Sequence, residues 1–568
     1  MLPLRLKLRR PLLGLILAMT SYACSISDNL LPQGPSTPAP APAPPAKKPE
    51  DTPDEGKTIP LGAPQLVRRL ALDLTMRLPN SADSSLVSAA SAGIAQVASA
   101  YLNDHASAQA LAALHPRMWH LDSHVLGDLD RFAAAGDSSL TAALTTATRQ
   151  AIVQQPSLAV RYVLEQHLPW HRLYETPQTT VTSTLLSLWG ASDLGAAFTG
   201  GSGRLATTFG QATAAGLLVD PGLLASINSD SGIYQRTGRL FKELLCTAPT
   251  PASVHDFSAL DGNEIASDLN ALSLSKKECA GCHTLFAGAR QAYSGFASGD
   301  SFAAWLQPPA ALDTTTGLYA GTSFQGLAAL GTLVGSDARM RRCEILRLFE
   351  ELYQRSYTNA DQTLLAVALD AFEKSGESLT AAAHELVMAS DYSTSPVGSS
   401  VKGPGKRGRS GVKVLGRAQW EALFAAVLPK NSLLFTDDLD PGHSESLTSS
   451  DRVPSGVYWH AVDRLARQGA TAVVSEELAD AALATNRHLL TTLPDGAATG
   501  ASAITVAKQI QDLWLRLTGT PLTDKDQIYI DLQALWTKTS PDGTADATRK
   551  AWGLLLTAVF SHPALVTY

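Results

Sequence analysis

From about residue 60 to the C-terminus, apolar side chains return every three or four positions. Leu66, Val67, Leu70 and Leu74 form one stripe of a helix, while Arg68, Arg69 and Asp73 point elsewhere. Pro79-Asn80-Ser81-Ala82-Asp83 ends this helix and starts another. Similar alternations continue to the end, and no long β-branched alternation marks a large sheet. The expected fold class is all-α, built from several helical modules with irregular strand only in loops.

One local pattern is used three times. Leu70–Pro79, Leu352–Asp361 and Leu515–Asp524 each run from a helix into a turn and on into new helices, which end near Tyr101, Tyr392 and Tyr568. Ser81, Thr358 or Thr523 can cap the next helix, each with a carboxylate nearby. The spacings are irregular, which describes a reused helical hairpin and not a solenoid. Glycine-rich stretches at 195–210 and 396–416 interrupt the pattern, the second also carrying Lys402, Lys406, Arg407, Arg409 and Lys413.

The first 60 residues follow another logic. Arg5, Lys7, Arg9 and Arg10 precede an apolar run, Pro11 to Met19, that is too short to cross a bilayer, as in an export signal. Ala23-Cys24 then suits lipoprotein cleavage and lipidation at Cys24, although Ser21 stands where such sites carry Leu. An ordinary signal peptide is the alternative. The Pro/Ala-rich tract from Leu31 to about Lys57 cannot bury a core and acts as a semi-rigid spacer. The expected organisation is a signal peptide over 1–23, an anchor cysteine and linker over 24–60, and an N-terminal helical domain over 61–215. A cytochrome-like region with a following helical module spans 216–395, and a C-terminal helical domain spans 396–568.

Composition narrows the class. Of 568 residues, 45% are hydrophobic, enough for packed cores, and the mean hydropathy of +0.01 argues against many membrane spans. A net charge of −7 gives no reason to expect a nucleic-acid partner. Five cysteines are too few for a disulfide scaffold in so long a chain, so their positions carry the meaning.

Cys279-Ala280-Gly281-Cys282-His283 is the informative motif. Two thiols at this spacing can each form a thioether to a vinyl group of one haem, and the adjacent imidazole then ligates the iron. Such attachment happens outside the cytoplasm, in agreement with the leader. Structural zinc would need two more ligands, and Cys246, Cys343 and His255 do not come as a pair. A thioredoxin-like dithiol would expect a βαβ context. A degenerate haemless descendant and a redox dithiol stay open beside the haem reading.

The stretch from Gly216 to Phe286 resembles the planctomycete-type cytochrome-like envelope proteins, also seen among myxobacterial-type lipoproteins. It runs from Gly216-Leu217-Leu218-Val219 through Tyr234–Cys246 and the prolines at 249 and 251 to the C-x-x-C-H motif. Arg68–Thr75 resembles their N-terminal block, and Met340-Arg341-Arg342-Cys343 with the helix behind it resembles the block after the haem motif. The resemblance implies one covalent haem c, held by Cys279, Cys282 and His283, in an envelope lipoprotein. It departs at Phe286, where relatives carry Met three residues after the motif histidine, and this leaves the sixth iron ligand open. Met340 is the first candidate, with ordinary helix packing as its alternative; a five-coordinate haem is another. Cys246 and Cys343 flank the motif on family-like blocks, so a disulfide between them is expected, against two separate buried thiols.

Other signals carry less. His384-Glu385 begins like a zinc-protease helix, but the required second histidine is Met388. The Gly403–Gly408 loop lacks the Ser/Thr of a phosphate-binding loop, and Asp437, Asp438 and Asp440 lack the EF-hand spacing. His115-Pro116-Arg117-Met118-Trp119-His120 is dense in potential haem ligands, yet such a cluster near a helix end is more often core. The leading functional expectation is electron transfer to a redox partner protein in the envelope, with the membrane reached through the lipid anchor. A helical binding or scaffold lipoprotein is the second, and a haem peroxidase with an open distal face the third.

Overall fold

In the N-terminal helix, α1 (Ala63–Thr75), Pro64 sits in the first turn and the Gln65 side chain accepts the Gly62 amide at 3.0 Å, which satisfies an amide the helix start leaves over. The helix stops at Met76, which is left-handed. The structure is a computed structural model. It describes residues 58–79, 83, 91–119, 145–176, 178–189, 193–198, 203–207, 216–220, 223, 237–238, 240–247, 288–289, 291–293, 315–396, 415, 419–420, 423–424, 456–479, 487–494, 502–540 and 544–566. The chain divides into two units, residues 1–54 with 248–288, and residues 55–247 with 289–568. All that follows concerns the second.

The described residues are 71% helical, so helix and not sheet sets the architecture. After β1 (Thr58–Pro60) and α1 come α2 (Ser91–Leu102), α3 (His105–Met118), α4 (Thr146–Glu165) and the short α5 (Arg172–Glu175). Next lie β2 (Gln178–Thr182), α6 (Ser183–Trp189), β3 (Asp193–Ala196) and β4 (Gly203–Thr207), with β4 in the middle of an antiparallel three-stranded sheet. A 3-10 turn at Gly216–Val219 and a π-helical turn at Leu240–Leu244 precede the hairpin β5 (Thr316–Tyr319) and β6 (Thr322–Gln325). Ala320 and Gly321 both have positive φ at its tip, the twist that a two-residue hairpin favours. The chain continues through α7 (Gly326–Gly335), α8 (Ala338–Tyr353), α9 (Gln362–Lys374), α10 (Leu379–Met388) and β7 (Thr394–Pro396), which pairs antiparallel with β1. The last helices are α11 (Gly456–Glu477), α12 (Ala503–Thr518), α13 (Gln527–Thr539), α14 (Ala545–Phe560) and α15 (Pro563–Val566). Among the described residues, no helix is long and apolar enough to cross a membrane.

The recurring turn has a common geometry. α1, α8 and α12 each end in a left-handed residue, Met76, Gln354 and Gly519. At the second turn, the Thr358 amide and hydroxyl donate to Asp361 Oδ2 at 2.8 and 2.7 Å. At the third, the Thr523 amide and hydroxyl donate to Asp526 Oδ2 at 2.6 and 2.7 Å. The carboxylate closes the turn before the next helix and takes up amides that would otherwise lack acceptors. Ser81, the expected cap of the first turn, lies outside the described residues.

α1 is buried on every side, which its apolar stripe alone does not suggest. Arg68 Nε and Nη2 donate to the carbonyls of Leu517 and Leu565 at 2.7 and 2.6 Å, near the C-terminal ends of α12 and α15. Carbonyls at helix ends lack intrahelical partners and carry partial negative charge, so a guanidinium satisfies both needs. Arg69 Nη1 donates to the Tyr392 carbonyl at 2.7 Å, and the Tyr392 hydroxyl donates back to Asp73 Oδ2 at 2.6 Å. On a third side, Leu72 joins the C-terminal core with Trp420, Phe424, Leu465, Trp552 and Phe560. One helix thus ties residues 392–394 to the C-terminal helices.

Candidate functional site

Cys279, Cys282 and His283 lie outside the described residues, as do Cys24, His120, Asp437, Asp438, Asp440 and the basic loop at 402–413. The second unit is left at Thr247 and re-entered at Ala289, so the described residues of that unit nearest the motif in sequence are Thr247 and the buried Ala289.

Cys246 and Cys343 are joined by a disulfide with their Cα atoms 5.2 Å apart. Cys246 lies two residues past the π-helical turn and adopts a left-handed φ, and its side chain meets α8 where Cys343 is buried. The bond therefore anchors the chain one residue before it leaves this unit at Thr247.

Met340, Cys343, Glu344 and Arg347 recur at helical spacing on α8, and each makes that helix part of a buried seam. Met340 is 1% exposed, packed in the core of this unit. Arg347 pairs with Glu243 Oε2 at 2.7 Å, donates to the Lys242 carbonyl at 3.1 Å and also reaches the Met118 carbonyl at the end of α3. Glu243 lies on the π-helical turn and is buried, so its charge is matched where water cannot reach it.

Glu344 meets a histidine. His115 is fully buried on α3, with Nε2 2.9 Å from Glu344 Oε1 and Nδ1 2.9 Å from the Leu111 carbonyl. A carbonyl only accepts, so Nδ1 carries a hydrogen. The Nε2–Glu344 contact then holds one further proton, and the pair is neutral as a whole whichever partner keeps it. The imidazole lies edge-on to Trp119, 4.8 Å between ring centres, and 5.4 Å from Trp170. Burial pushes the nearby Tyr174 phenol well above its ordinary value, and the Glu344 charge and Tyr319 add to the shift. Sealed from solvent, this assembly holds a proton within the core; it offers no reacting group to a substrate.

His115, Met118 and Trp119 of this cluster are therefore core, as its composition suggests. Sequence reasoning missed Glu344 as the buried partner of His115 and Glu243 as that of Arg347. The available signal was the run Cys343-Glu344, a carboxylate placed beside an apolar helical position. His384 lies on α10 with Nδ1 3.2 Å from its neighbour Glu385. Among the described residues, no group of three or more His, Cys, Asp or Glu is placed to hold a metal ion. Comparison with protein-family models, curated proteins and solved structures finds no significant match to this chain.

Proposed function

We propose that this chain is an exported, membrane-tethered protein with one covalent haem c, which passes electrons to a redox partner in the cell envelope. The observation that carries the reading is Cys279-Ala280-Gly281-Cys282-His283. The donor set fits the group: Cys279 and Cys282 would form the two thioethers, and His283 would bind the iron as proximal ligand. When bound, the haem supplies one-electron iron chemistry. The sixth position stays open: Met340 is the downstream thioether candidate, and its 1% exposure on α8 favours the alternative, ordinary helix packing. The cytochrome-like block would lie within residues 216–395, between helical modules that serve partner contact, and lipidation at Cys24 would supply the tether.

Cysteine accounting supports this. Of five cysteines, Cys246 and Cys343 are bonded to each other and Cys24 sits in the leader, which leaves Cys279 and Cys282 for the thioethers. A disulfide also suits the oxidising compartment in which haem c is attached. The second reading, a helical binding or scaffold lipoprotein, draws on the repeated helix-turn modules.

Intact mass decides between them. Protein exported from a host able to mature c-type cytochromes is expected to carry the mass of one haem, and a Cys279→Ala/Cys282→Ala variant to lose it. Unmodified mass in the parent protein would overturn the haem reading in favour of the binding lipoprotein.

A further inference from the structure

The Cys246–Cys343 disulfide joins two cysteines in unlike settings. Cys246 is exposed, whereas Cys343 on α8 is 2% exposed. A thiolate arriving from solvent must reach the sulfur that it attacks, so of the two residues Cys246 offers the target.

The contacts around the bond do not depend on it. Leu240, Phe241, Leu244 and Leu245 are buried, and Phe241 stacks on Tyr319 with 5.9 Å between ring centres. Arg347 on α8 pairs with Glu243 Oε2 and donates to the Lys242 carbonyl. The turn at Cys246, left-handed at φ +48°, is closed by its own backbone, the Thr247 amide donating to the Phe241 carbonyl at 2.9 Å. Cys343 Sγ lies 3.7 Å from the Glu243 carbonyl, so a thiol formed there has an acceptor in place and is not a buried donor without a partner. Opening the S–S bond thus removes a covalent link and leaves the packing and charge pairing between the π-helical turn and α8.

We propose that this disulfide is a redox-sensitive switch, opened by an external thiol at Cys246 while the helical unit stays folded. Exposed disulfides are the labile and regulatory ones, and buried ones resist exchange. The incoming thiolate forms a mixed disulfide with Cys246 Sγ and expels Cys343 as a thiolate, which takes up a proton. A second thiolate attacks the sulfur of the incoming molecule, so that an external disulfide forms and Cys246 is released and protonated. The protein gains two electrons and two protons, and two external thiols become one disulfide. The chain is then unhooked from α8 one residue before it leaves this unit at Thr247. The inference is independent of the haem reading.

Treating the full chain with thiols in the absence of denaturant tests it, read by alkylation with peptide mapping and by far-ultraviolet circular dichroism. Dithiothreitol is expected to reduce the bond with the helical signal retained, and glutathione to form its first adduct on Cys246. In single variants, Cys246 of the Cys343→Ser protein is expected to react with iodoacetamide at least about tenfold faster than Cys343 of the Cys246→Ser protein. A bond that resists dithiothreitol until denaturant is added, loss of the helical signal on reduction, a first glutathione adduct on Cys343, or equal alkylation of the two variants would each overturn the proposal.

Discussion

Arg68 and Arg69 are neighbours in the chain and are held by different parts of it, one by carbonyls of α12 and α15 and the other by carbonyls at Tyr392 and Thr394. Helical periodicity places both off the Leu66-Leu70-Leu74 stripe, but it cannot tell that they are buried, because their acceptors lie more than 300 positions away. The same holds for His115, whose setting among Met118 and Trp119 reads as core from sequence while its partner Glu344 does not. Replacing one member of this buried pair leaves the other without a partner. Glu344→Leu or His115→Leu alone is expected to cost about 3–5 kcal/mol of unfolding free energy, and the double variant clearly less than the two together. Denaturant unfolding of the three variants measures this, and simple additivity would show that the two side chains do not depend on each other.

At the scale of elements, the turns are the most legible part. Thr358 with Asp361 and Thr523 with Asp526 stand in the sequence as cap and carboxylate, and both close their turns by hydrogen bonds. The strands are the least legible. β1 is three residues long and its partner β7 lies more than 300 positions along the chain, so no local alternation marks it. Gly519 shows how a turn is coupled to packing: it is left-handed, and an added Cβ would come within 2.9 Å of the Pro64 carbonyl oxygen on α1. Gly376 has a similar positive φ with nothing within 4 Å. Alanine at Gly376 is therefore expected to cost about 1–2 kcal/mol for its backbone conformation alone. Alanine at Gly519 should cost more, since α1 must also give way. Equal losses in thermal or denaturant unfolding would mean that α1 does not press on this turn.

For the molecule as a whole, the Cys246–Cys343 disulfide spans a sequence separation of 97 residues, within which lies the 248–288 segment with its C-x-x-C-H motif. Closing so long a loop removes much of the freedom of the unfolded chain. A Cys246→Ser/Cys343→Ser variant is expected to lose about 2–5 kcal/mol of stability, and an unchanged unfolding midpoint would deny the bond that role. Apolar periodicity indicates a mostly helical protein, and the described residues are 71% helical. The chemistry rests on five residues whose meaning is read from spacing alone.

The most direct test of that chemistry is a potentiometric titration of the matured, full-length protein, followed by its visible spectrum. The proposed function predicts a single reversible one-electron transition between oxidised and reduced thioether-linked haem. A colourless protein, or a pigment without a one-electron couple, would contradict it.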